Sequence, residues 1–166
     1  VCPAGGEIPM KTTFILLALL IAAAVLYIRL APSDPARWHI DIADPAFEPD
    51  PNWAVFCPPR DSRYGLATDL AAIEAQAMNW PRTKRLAGSV QEGRITWITR
   101  SAVFGFPDYT TAALRADNGQ MLLCIVARQR FGKLDGGVNA RRIQAWVQSA
   151  YGLNEVPDLI WHTAAP

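Results

Sequence analysis

Arg94 to Arg128 reads RITWITRSAVFGFPDYTTAALRADNGQMLLCIVAR. Arg94 to Ser101 is dense in β-branched residues and predicts a strand. Phe104-Gly105-Phe106-Pro107-Asp108 then bends the chain. Thr110 to Ala116 is a second strand-like run, and Asp117-Asn118-Gly119 after it is a strong hairpin signal. Met121 to Arg128 is nearly all apolar, so it is expected to be buried on both faces, or nearly so. Upstream, Lys84 to Val90 is a weaker strand, joined to the first by Gln91-Glu92-Gly93. Short turns between consecutive strands predict a four-stranded antiparallel meander.

Two helices flank it. Leu66 to Asn79 places Leu66, Leu70, Ile73 and Ala77 at helical spacing, and Pro81 ends the run. Ala140 to Tyr151 carries Ile143, Trp146, Val147 and Ala150 on one stripe, with Asn139 placed to cap its start and Gly152 its end. The expected fold is α+β, in the order α-β-β-β-β-α, with both helices free to cover one face of the sheet.

Ahead of the domain, Thr12 to Ile28 is 17 uncharged residues, TTFILLALLIAAAVLYI, at the short end for a spanning helix. Lys11 precedes it and Arg29 ends it. A retained single-pass anchor is the favoured reading. A cleaved signal, with Ala22-Ala23-Ala24 as the site, competes with it. Lys11 favours an N-in orientation, which puts the C-terminal domain in the periplasm of a bacterial inner membrane. Met10 reads as the true start, and residues 1–9 as upstream sequence. The organisation is then 10–30 anchor, 31–62 arm, 63–152 α+β domain and 153–166 tail.

The arm holds seven prolines, a density expected to forbid regular helix and interior strand. Its aromatic residues, Trp38, Phe47, Trp53 and Phe56, suggest an extended segment packed onto the domain. Trp38 is also a candidate for the membrane interface.

The 166 residues are 51% hydrophobic with a formal net charge of +1, which excludes a disordered chain and a generically polycationic nucleic-acid binder. That neutrality hides a split: residues 31–81 carry 3 basic and 8 acidic side chains, and residues 82–142 carry 11 and 4. The simplest account is an acidic arm lying across a basic body; the sharper one is a basic face for anionic lipid or an acidic partner.

Nucleophile-elbow, phosphate-loop, zinc-protease and dinucleotide motifs are absent, and no metal or cofactor is expected. Three cysteines are too few for a disulfide scaffold. Cys57 and Cys124 can pair in an oxidising compartment, but Cys124, inside an apolar run, reads as a small buried hydrophobe. His39 and His162 lack partners at ligand spacing and read as surface or hydrogen-bonding residues.

Arg128 to Arg142, RQRFGKLDGGVNARR, stands out. Arg128 and Arg130 point to one side of a strand. A glycine-rich turn leads from them into a helix whose first turn carries Arg141 and Arg142, against the helix dipole. Either Asp135 folds back onto an arginine and braces the corner, or an external anion sits there. Arg128, Arg130, Asp135, Asn139 and Arg142 form the candidate site, with Arg100 and Asp108 as secondary members.

The same stretch resembles the signature of the domain-of-unknown-function family numbered 1499. It matches at Arg130, Gly132, Asp135, Gly137, Asn139 and Arg142, with Gln129 standing where the signature has serine. Phe104 to Tyr109 is similar to the family's Phe-x-Asp bend, and Pro81-Arg82-Thr83 to the motif before its first strand. The arm from Arg29 to His39 resembles membrane-anchored bacterial members. The resemblance spans about 60–152 and implies no agreed activity, cofactor or substrate.

The leading functional expectation is a non-enzymatic binding or accessory module at the membrane. Its partner would be another envelope protein or an anionic head group, and nucleic acid is not expected. The alternative is an enzyme acting on an anionic or lipid substrate at the same corner, with Asp135 or Asp108 as general base.

Overall fold

A computed structural model describes residues 9–44, 46–57, 67–117, 119–132, 135–153 and 160–161. The expectations for residues 1–8, for Leu66 and for His162 lie outside these. Within them the chain forms α1 (Met10–Leu30), α2 (Pro35–Trp38), β1 (Ala54–Phe56), α3 (Ala67–Asn79), β2 (Thr83–Ser89), β3 (Arg94–Arg100), β4 (Pro107–Asp117), β5 (Gln120–Gln129), α4 (Val138–Tyr151) and β6 (Ile160–Trp161). The class is α+β, as expected.

The meander of β2 to β5 is present, but the sheet is wider, with strand order β2-β3-β4-β5-β1-β6 and antiparallel pairing throughout. The addition corrects the expectation for the arm. Its prolines leave the stretch between Pro51 and Pro58 free, and there Ala54, Val55 and Phe56 pair with Ala127, Val126 and Ile125. A segment of three residues is too short to announce itself as a strand, yet it lies inside the sheet, and β6 from the tail pairs on its far side. Pro35 likewise does not prevent helix. It occupies the first turn of α2, where its missing N–H costs nothing, and Asp34 caps Ala36.

The two faces of the sheet are covered differently. On one, Leu70, Ile73 and Ala77 of α3 and Ile143, Trp146 and Val147 of α4 pack onto Ile95, Trp97, Ala112, Leu123, Ile125, Ala127 and Phe56. All of these side chains are essentially inaccessible to solvent. Each large one contributes about 1.5–3 kcal/mol by leaving water. On the other face lies the arm, with Ile42, Val55, Ala113, Cys124 and Val126 forming one cluster and Trp38, Ile98 and Tyr109 another. This third layer is why Leu122 to Arg128 is buried on both faces, although Met121 is exposed.

Cys57 and Cys124 both point to the arm face and form a disulfide, with Cα atoms 4.3 Å apart. Cys124 is indeed buried, but it is paired: β1 brings Cys57 beside it, and the sequence did not disclose β1. Trp38 is buried too, stacked on Tyr109 at 3.9 Å between ring centroids, and so is not a membrane-interface residue. The acidic arm meets the basic body through Asp41, whose carboxylate accepts from Arg94 at 2.7 Å. Asp34, Asp44 and Asp50 instead accept from backbone N–H groups two residues on, each closing its own turn.

α1 is apolar, has no buried residue, and is long enough to cross a bilayer. Its C-terminal end is docked on the domain. Arg29 donates to the Val103 carbonyl at 2.9 Å, and the ring of Tyr27 meets that of Phe131 edge-on at 6.3 Å. Ala31, the next residue after the helix, is already buried.

Candidate functional site

The structure divides the five residues of the 128–142 corner between the two faces of the sheet. Arg128 and Arg130 share the arm face, as strand alternation requires. Arg128 donates to the Trp38 carbonyl at 2.9 Å, and its guanidinium lies 4.9 Å from the Trp38 ring centre and 5.0 Å from that of Trp53. Burial pushes its pKa down to about 10, and nearby Arg37 adds to the effect. Arg130 donates to the Pro32 carbonyl at 2.7 Å. Both arginines therefore hold the arm, supplying donors to carbonyls that an irregular segment cannot pair within itself.

The other three lie on the helix face. Asp135 does not fold back onto an arginine. Its two carboxylate oxygens accept from the backbone N–H groups of Gly137 and Asn139, both at 2.8 Å. Gly136 and Gly137, at φ 60° and 76°, turn the chain so that this is possible. Asp135 is thus the capping side chain, and Asn139 is not. The helix begins at Val138, and Asn139 is buried inside its first turn, where its side-chain oxygen accepts from Arg142. Arg142, only 3% exposed, also meets Thr110 Oγ1 at 3.3 Å and the Asp108 carboxylate at 3.6 Å. Burial raises the Asp108 pKa to about 6 against the opposing pull of Arg142. Burial also lowers the pKa of Arg142, opposed by Asp108 and Asp135. These groups tie β4 to the start of α4.

Arg100, the secondary candidate, belongs elsewhere. It donates to the Gly105 carbonyl at 2.9 Å and lines a cleft of about 790 Å³ between the end of α1 and the β2–β3 edge. Arg29, Arg82 and Lys84 line the same cleft, together with the apolar Leu30 and Ile98. Among the described residues, no carboxylate lines it. Arg82 has φ 59°, a left-handed conformation that costs a non-glycine residue of order 1 kcal/mol. Its Nε donates to the Arg100 carbonyl, and the Arg100 N–H returns a bond to the Arg82 carbonyl. Backbone conformations of this kind cluster at active sites and ligand clamps.

The sequence concealed this cleft because its four cations come from three separate segments, each unremarkable alone. The excess of basic residues after position 81, beginning with Arg82, Lys84 and Arg85, was the available signal.

His39 is a structural residue. Arg94 donates to its Nε2 at 3.1 Å, so its Nδ1 carries the proton toward Thr96 Oγ1 at 2.8 Å, and Thr96 meets Thr111. Burial, then the charge of Arg94, holds its pKa below the ordinary value.

No curated protein and no solved structure matches the chain. A family model, described as Protein of unknown function (DUF1499), matches residues 54–149. The match runs from β1 into the last turn of α4, over more than half of the sequence, and the chain belongs to that family.

Proposed function

We propose that the protein is a non-enzymatic binding module, held in a bacterial inner membrane by α1, whose domain on the periplasmic side takes an anionic group in the basic cleft beside the anchor. The observation that carries this reading is the lining of the cleft: Arg29, Arg82, Lys84 and Arg100 with no described carboxylate among them. Guanidinium and ammonium groups beside apolar side chains suit a phosphate or carboxylate joined to an apolar body. The 128–142 corner braces the fold. The Cys57–Cys124 disulfide favours an oxidising compartment, and Lys11 ahead of the span favours the same orientation. Docking of Arg29 and Tyr27 on the domain favours a retained helix over a cleaved one. An enzyme at the corner is the weaker reading, because Asp108 and Asp135 do not line the cleft and already serve Arg142 and the α4 backbone.

The test is titration of inorganic phosphate and glycerol phosphate into the full-length protein in phosphatidylcholine nanodiscs, followed by calorimetry. Arg82→Gly combined with Lys84→Gln removes two cations while the glycine accepts the left-handed backbone. Binding that weakens at least tenfold in the variant supports the reading. Absence of binding to the wild type, or equal binding by both proteins, overturns it.

A further inference from the structure

The β3–β4 turn, Ser101-Ala102-Val103-Phe104-Gly105-Phe106, projects apolar side chains that the domain leaves uncovered. Val103 is 72% exposed and Phe104 49%. Two independent features fix where this turn stands. The Val103 carbonyl accepts from Arg29, so the turn lies level with the last residues of α1. A row of rings also runs from the helix to the turn: Tyr27 to Phe131 at 6.3 Å, Phe131 to Phe106 at 6.0 Å, Phe106 to Phe104 at 5.9 Å. Gly105 permits this closeness. At φ 75° it takes a conformation that side chains avoid, and a Cβ there would stand 3.0 Å from Arg29 Cγ.

The length of the span supplies the level of the bilayer. The uncharged run of 17 residues rises about 26 Å, close to a hydrocarbon core of about 30 Å, so its end at Ile28–Arg29 marks the level of the bilayer boundary. The turn that accepts from Arg29 stands at that level. Tyr27 at that level suits a headgroup belt and the phenylalanine rings suit the apolar boundary beside it, while Arg29, Arg82, Lys84 and Arg100 on the adjoining cleft would offer lipid phosphates the complementary charge.

We infer that the Val103–Phe104 turn is seated in the bilayer interface beside α1, as a second membrane contact that fixes how the domain lies on the lipid surface. The occupant of this apolar patch is the bilayer itself, and the contact does not depend on any anion filling the cleft.

The test uses the full-length protein with Cys2→Ser, so that one introduced thiol is free. Val103→Cys and Phe104→Cys are each labelled with an environment-sensitive fluorophore. Gln91→Cys, in the turn at the opposite end of β3, is the control. The proteins are reconstituted in phosphatidylcholine vesicles, with and without phosphatidylglycerol, containing lipids spin-labelled at the head group or along the chain. The expected result is a blue-shifted label at both 103 and 104, quenched at least threefold more by shallow spin labels than the label at 91, in both lipid mixtures. Quenching at 103 and 104 no greater than at 91 overturns the inference. Quenching seen only with phosphatidylglycerol also overturns it, because charge on the cleft would then be doing the docking.

Discussion

The two faces of the sheet are closed by different physical means. On the helix face, α3 and α4 satisfy their own backbones and lay an apolar stripe on an apolar surface. On the arm face the covering layer has only the short strand β1 and the single turn of α2, and polar side chains from the sheet complete it. Arg128 and Arg130 supply donors to Trp38 and Pro32 carbonyls, Tyr109 meets the Ser33 hydroxyl at 2.8 Å, and His39 bridges Arg94 to Thr96. The helices are held chiefly by shape and apolarity, with Arg142 as a polar tie for α4, whereas the arm is held by donors aimed at particular carbonyls and by a disulfide.

That contrast sets the order of what should break the fold. Trp146 meets Trp97 edge-on at 5.6 Å at the centre of the helix face. Trp146→Ala should cost about 3–5 kcal/mol and lower stability everywhere, measured by urea unfolding. Converting Cys57 and Cys124 together to alanine should cost about 2–4 kcal/mol. Amide exchange should then quicken in Trp53–Cys57 far more than in α4; uniform quickening would erase the distinction between the faces.

The titrating groups sharpen it further. Asp108 binds its proton more tightly in the folded state, with its pKa raised from 3.8 to about 6. Between those values the unfolded chain has released the proton and the folded one retains it, so stability falls as pH rises through this window, by at most about 3 kcal/mol. Asp108→Asn should flatten that limb of a stability–pH profile.

His39 works in the opposite sense. Its folded pKa lies below 6.5, so the unfolded chain takes up a proton first as pH falls. Its contribution is whole above 6.5 and is lost on acidification through its lowered value. The effect should register in arm amides such as Ala43 and vanish in His39→Gln, with α4 amides unmoved.

The helix face was the legible one. The stripe Leu70, Ile73 and Ala77, the stripe Ile143, Trp146 and Val147, and the antiparallel pairing of Asp117 with Gln120 each follow from local rules, and each lies where those rules put it. The arm face was legible only as rings among prolines. Its strand is three residues long, and its disulfide and arginine contacts join positions dozens of residues apart. In the 128–142 corner the residue types were informative but their partners were not. Asp135 among arginines suggests an ion pair, but the two glycines after it turn its carboxylate to the backbone N–H groups of the helix start.

The burial of Ala31 directly after α1, with Arg130 fastened to Pro32, leaves this domain no leash. A module on a flexible tether sweeps a volume and can fish for its partner above the surface. On the proposed reading of α1 as a retained anchor, this one would travel only as its helix drifts in the plane of the lipid. Its encounters would then be those of a two-dimensional gas, confined to whatever resides on, or is delivered to, that sheet of molecules.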